Sequence, residues 1–135
     1  MEMLWYVVAV LTATFVTSLT DWYFMGVLFH DKYLTHPETW RNTGNPKGER
    51  LAIALSTLVG FLACAMFIHV AAHFGLLGWH SAVAFALGSW FAVALPLIVT
   101  NGFFIKIHPL NTLAMSLGWL ARLLVCALCA HLFLG

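Results

Sequence analysis

Asp21 and Arg122 each interrupt a long apolar run, in Leu19-Thr20-Asp21-Trp22 and Ala121-Arg122-Leu123-Leu124. An ionisable side chain inside a membrane span costs several kcal/mol, so each needs a partner or a purpose. Their opposite signs make them candidates for each other. Counting from the inner ends of their spans at the helical rise, Asp21 lies roughly 12 Å deep and Arg122 roughly 18 Å deep. The arginine stem can bridge that difference. Both sit on polar stripes: Thr14, Thr17, Ser18 and Asp21 on the first helix, and Asn111, Met115, Gly118, Arg122, Cys126 and Cys129 on the fourth. Steps of three and four place each set on one helix face, which should point inward. An Asp21–Arg122 pair joined by Asn101 is therefore the first candidate site. It reads either as an ion pair that fixes helix register, or as a binding site for a proton or anion in which Asp21 changes its charge.

Seven histidines form the second set. His69 and His73 stand four apart, hence on one helix face, while His80 begins the third span and His131 ends the fourth at a similar level. With His69, His73 and His131 as donors, imidazoles at this mouth could hold zinc, copper or haem iron. The same residues also suit a membrane interface for their amphipathic character alone. A histidine pair four apart without an adjoining Glu is not a metalloprotease motif. His30, His36 and His108 fall on the opposite side with Asp31 and Lys32, and read as solvated loop residues.

The elements that must position these groups follow from composition. Of 135 residues, 62% are hydrophobic and 8% charged, with mean hydropathy +0.92. Soluble domains run near half apolar and a quarter charged, so a water-soluble enzyme and a disordered chain are excluded. Six Lys and Arg against five Asp and Glu leave no basic face for nucleic acid. Four stretches reach the length of about 20 apolar residues that a membrane helix needs: 4–29, 51–74, 81–101 and 110–134. The alternating pattern of an outer-membrane barrel is absent. The sequence thus predicts an all-α, polytopic four-helix bundle in contact with the lipid bilayer, forming a single transmembrane domain over 1–135.

Orientation follows from the basic residues. The first connection, 30–50, carries Lys32, Arg41, Lys47 and Arg50, the third carries Lys106, and the second carries none. The positive-inside rule places connections one and three in the cytoplasm and both termini outside. Trp5, Tyr6, Trp40 and Trp79 fall near the expected interfaces. The N-terminus lacks the basic region of a signal peptide, so the first helix is expected to stay as a span. Within the first connection, Thr35-His36-Pro37-Glu38 has the form of a capping box, predicting a short interfacial helix, and Asn42 to Gly48 reads as turn chemistry.

The sequence suggests an internal repeat between the two halves. Gly60-Phe61-Leu62-Ala63 precedes Ala72-His73 at the same spacing as Gly118-Trp119-Leu120-Ala121 precedes Ala130-His131. Thr20-Asp21-Trp22-Tyr23-Phe24 can be laid over Thr100-Asn101-Gly102-Phe103-Phe104. Two αα-hairpins related about the membrane normal would then break symmetry where Asp21 opposes Asn101 and Cys64 opposes Arg122. Ser56, Gly60 and Cys64 form a small-residue stripe suited to helix contact. Cys64, Cys126 and Cys129 all lie in spans and read as small packing residues rather than a redox motif. Pro96 should kink the third span and leave the carbonyl near Ala92 in need of a partner. No phosphate loop, nucleophile elbow or paired acidic motif is present, which argues against an enzyme.

Trp22-Tyr23, then Leu28-Phe29, then Trp40, resembles the opening of the bacterial membrane proteins grouped as domain of unknown function 1761. Asn101-Gly102-Phe103-Phe104 with Gly118-Trp119 is similar to their closing half. Met25 stands where that family's Trp-Tyr-x-Pro pattern has proline. The resemblance implies a four-span inner-membrane protein of this length, and it carries no catalytic residue. The resulting expectation is a bacterial cytoplasmic-membrane protein acting as a small binding or transport module, with Asp21, Asn101 and Arg122 as its polar centre. A chain this small would oligomerise to enclose a pathway. The alternative is a metal- or haem-binding subunit, or an accessory partner of a larger membrane complex.

Overall fold

Long apolar runs fold as helices in hydrocarbon, because only intrahelical hydrogen bonds satisfy the backbone there. The computed structural model describes residues 3–24, 46–105 and 109–135. Helix α1 spans Met3–Asp21, and its run of helical turns reaches Phe24. Helix α2 spans Pro46–His73, α3 spans Trp79–Phe104 and α4 spans Pro109–Leu134. All four are long and apolar enough to cross a membrane, so this is a multi-pass membrane protein whose outer faces meet lipid. The third span is longer than the sequence suggests at both ends, beginning at Trp79 and ending at Phe104. The capping box at Thr35 to Glu38, Trp40, Arg41, Lys106 and the loop histidines His30, His36 and His108 lie outside the described residues.

The fourth helix is the hub. It packs against α1, α2 and α3, and supplies Leu123, Cys126, Ala127, Cys129 and Ala130 to the core. Opposite them stand Ala9 and Ala13 of α1, Cys64 and Ile68 of α2, and Ala82 and Ala86 of α3, nearly all fully buried. Apart from Ile68 these are small residues, which let backbones approach closely and so replace the hydrophobic driving force absent between helices in lipid. Phe67 and Phe85 stack with centroids 4.7 Å apart and join α2 to α3. Large apolar side chains such as Leu62, Met66, Phe91 and Leu97 point outward.

Two local features shape the scaffold. Between α2 and α3 the chain turns at Gly75, whose φ of +71° is readily available only to glycine. The Leu76 N–H bonds the Ala71 carbonyl at 2.7 Å and the Gly75 N–H bonds that of Ala72 at 3.3 Å, the paired bonds of a Schellman turn. In α3, Pro96 produces a register change. Residues Trp90–Ala94 form a π turn, in which the Leu95 N–H reaches back to the Trp90 carbonyl. In a regular helix the proline ring would strike the carbonyl of Ala92; the wider π turn lies across that carbonyl. It also carries Trp90, whose indole Nε1 donates to the Ser116 carbonyl of α4 at 2.9 Å.

Candidate functional site

The polar stripe of α1 is mostly consumed by its own helix. Thr14 donates to the Val10 carbonyl, Thr17 to Thr14, Ser18 to Thr14 and Thr20 to Thr17. Such back-bonding satisfies hydroxyls in an apolar setting without a neighbour. Only Thr17 is fully buried; Ser18 is exposed, so the stripe is narrower than its spacing suggests. Asp21, at the end of α1, has no such local outlet and reaches across to α4.

There it meets Arg122. The Nη2 of Arg122 donates to Oδ2 of Asp21 in a salt bridge between the first and last helices. The two partners are unequally enclosed: the Arg122 side chain is 8% exposed and that of Asp21 34%. On one side the guanidinium lies over the Trp119 ring, 4.8 Å from its centroid, a cation–π contact. Trp119 precedes Arg122 by three residues, the spacing at which helix side chains meet. On another side lies Gly60 of α2. A Cβ built there would fall 2.7 Å from Nη1 and 3.0 Å from Cζ of Arg122, so the missing side chain is the space that the guanidinium occupies. Gly118 faces the other partner more loosely, its notional Cβ standing 3.7 Å from Oδ1 of Asp21. The two glycines aligned by the apparent repeat thus both border the ion pair.

The site retains unused polarity. Nε of Arg122 is buried without a partner, as is Oδ1 of Asn111. Nε–H and the Nη2 edge form the fork with which arginine ordinarily takes a carboxylate through both oxygens. Here one prong is engaged and the other is open. One turn along α4 the thiols begin. Thr17 Oγ1 lies 3.8 Å from the Cys64 sulfur. All three cysteines are buried and free, filling the core beside the pair.

Asn101 does not join this centre. It is exposed near the end of α3, and the first candidate site reduces to Asp21 and Arg122 with Gly60 and Trp119 around them. On α4, Asn111, Gly118, Arg122, Cys126 and Cys129 face inward, whereas Met115 is 39% exposed and belongs to the lipid face. Of the small-residue stripe on α2, Gly60 and Cys64 are buried and Ser56 is exposed. Trp119 is signalled by its spacing from Arg122, and Gly60 by its place in the stripe and in the repeat.

The histidines separate in space. Nδ1 of His131 lies 2.9 Å from the Leu77 carbonyl, tying the end of α4 to the α2–α3 turn, and Trp79 packs edge-on to its ring. His69 and His73 are exposed, with rings nearly parallel and 6.4 Å apart. His80 is exposed at the start of α3. Among the described residues, no group of three His, Cys, Asp or Glu side chains comes together as a metal site would require. The triad of His69, His73 and His131 is therefore divided: one ring holds a backbone carbonyl, and two stand on the surface of α2.

A family model matches residues 8–131, and its description is a protein of unknown function, DUF1761. No curated protein and no solved structure matches the chain.

Proposed function

The chain belongs to the DUF1761 family of proteins of unknown function, and on that premise we propose that it acts as a small binding or transport module centred on Asp21 and Arg122. The unequal exposure of the pair carries this reading: the cation is enclosed while the carboxylate keeps an open side. A bridge serving register alone needs no open side, since removing one partner of a sealed pair is already strongly destabilising, whereas a carboxylate that changes its charge must be reachable. Here a proton can reach Asp21 from the open side while Arg122 stays fixed by Trp119 and Gly60. Protonation would remove the charge that holds Nη2 and free the fork of Arg122 for another acceptor, a two-state element of the kind that couples proton uptake to solute movement. Asn101, exposed near the same end of the bundle, is assigned to the periphery of this route.

The setting we assign is a bacterial cytoplasmic membrane, with both termini outside. Lys47 and Arg50 at the start of α2, together with the other basic residues of the first and third connections, support it. The centre of the bundle is filled by α4, so enclosing a path calls for a second copy, and we assign the working form to a homo-oligomer. The second reading, a metal- or haem-binding subunit, retains the exposed rings of His69 and His73 as donors and gives up His131. An absorption spectrum with elemental analysis of the purified protein tests it: a stoichiometric band or metal lost in His73→Ala would favour it.

The module reading is tested in proteoliposomes carrying an internal pH dye under an imposed pH gradient. The wild type should dissipate the gradient faster than empty vesicles, and Asp21→Asn should return it to the empty-vesicle rate while the protein stays folded. The exchange of both residues, Asp21→Arg with Arg122→Asp, keeps an ion pair but moves the carboxylate to the enclosed position. It should restore stability without restoring flux.

A further inference from the structure

Away from the ion pair, α1 and α2 leave an open groove on the lipid face of the bundle. It offers about 600 Å³, largely open on its outer side, and is lined by Tyr6 of α1 and by Val59, Leu62, Ala63, Ala65, Met66 and His69 of α2. We propose that this groove holds one membrane phospholipid, with an acyl chain along Val59 to Met66 and the phosphate hydrogen-bonded by His69 and His73.

Three observations argue for that occupant. The first is polarity. Every lining side chain is apolar apart from the Tyr6 hydroxyl and His69, and that hydroxyl is already engaged, donating to the Ala65 carbonyl at 3.0 Å. The one polar group left to address a ligand is an imidazole, at one end.

The second is length. From Val59 to His69 the groove follows ten residues of helix, about 15 Å at 1.5 Å per residue. That is about half of the roughly 30 Å hydrocarbon core, the depth of a single leaflet. Its polar end lies where head groups lie, because α2 finishes at His73, one turn beyond His69.

The third is the second imidazole. His73 lies one turn above, beside the groove rather than in its lining, with its ring nearly parallel to that of His69 and 6.4 Å from it, so a phosphate at the polar end has two imidazoles nearby. A partner helix would need small residues along the rim to approach closely, and the rim is Val59, Leu62 and Met66, each more than half exposed.

Native mass spectrometry of the detergent-purified protein tests this with three probes: phosphatidylglycerol, a diacylglycerol with the same chains, and glycerol 1-phosphate. The expected result is one phosphatidylglycerol retained per copy, weaker retention of the diacylglycerol, and no retention of glycerol 1-phosphate. Met66→Trp, which fills the groove, should abolish retention of both lipids. His69→Gln with His73→Gln should erase only the preference for the phosphate. Far-UV circular dichroism and melting temperature establish that both variants fold. Equal binding of the two lipids in the wild type, binding that survives Met66→Trp, or a dimer that Met66→Trp dissolves would each overturn the assignment. Asp21→Asn should leave lipid retention unchanged, so failure of the polar-centre reading and failure of this one are separable.

Discussion

The middle of the bundle and its histidine-bearing end put their polar side chains to different use. In the middle, Asp21 answers Arg122 across two helices, with Gly60 leaving the room and Trp119 covering the cation. At the other end, His131 is tied to the Leu77 carbonyl, and His69, His73 and His80 face outward. Depth accounts for the difference. A full charge within a span is costly when left alone and takes a partner from another helix. An imidazole within a turn of the interface is satisfied by a backbone carbonyl or by head groups, so nothing forces the four rings together.

The largest expected effects come from breaking the central pair unequally. Asp21→Leu strands the enclosed guanidinium and should cost about 2–4 kcal/mol of stability, near the range for unpaired buried charges. Arg122→Met strands a carboxylate that keeps one third of its surface open, and should cost about 1–2 kcal/mol, closer to the polar interactions measured within membranes. The double variant Asp21→Leu with Arg122→Met should regain most of the loss, since neither charge is left alone. Melting temperatures in detergent give all three, and equal costs for the two single variants would refute the asymmetry.

Next in size are the glycines. Gly60→Ala drives a Cβ to 2.7 Å from Nη1, so the guanidinium must move, at about 1–3 kcal/mol for an overpacked contact. Gly118→Ala adds a Cβ at an ordinary 3.7 Å from Asp21 and should change stability by about 0.5 kcal/mol or less. If the two substitutions were equally tolerated, Gly60 would not be the clearance that seats Arg122.

Much of this was legible in the chain. Four apolar runs gave the spans, because the hydrocarbon thickness leaves little choice of length. Asp21 and Arg122 were identifiable as partners because they are isolated opposite charges on inward stripes. Asn101 could not be sorted from them by type alone. Its partnership rested on an alignment with Asp21, and the sequence does not say which face of α3 turns inward once Pro96 has changed the helical register at Trp90–Ala94. Met115 failed for a similar reason: it lies at the edge of the stripe, where a step of three or four residues does not distinguish core from lipid. The histidine triad rested on a shared level along the membrane normal, and level says nothing about lateral separation. The family match over residues 8–131 agrees with the resemblance in the aromatic motifs.

Smaller effects separate the histidine end further. His131→Ala removes the bond to the Leu77 carbonyl and should cost about 1 kcal/mol. It should appear as faster hydrogen exchange at Leu76 and the turn around it. His73→Ala, at an exposed position, should stay within about 0.5 kcal/mol of the wild type. Asn101→Ala should do the same, unlike either partner of the central pair. A large loss of stability in Asn101→Ala would return that residue to the core of the site.

The most direct test of a working polar centre is proton flux through reconstituted vesicles, comparing the wild type with Asp21→Asn at matched folding. A functional Asp21 predicts that the wild type collapses an imposed pH gradient faster than empty vesicles and that Asp21→Asn does not. Equal rates in the two proteins would contradict it and leave the ion pair as a fastener between the first and last helices.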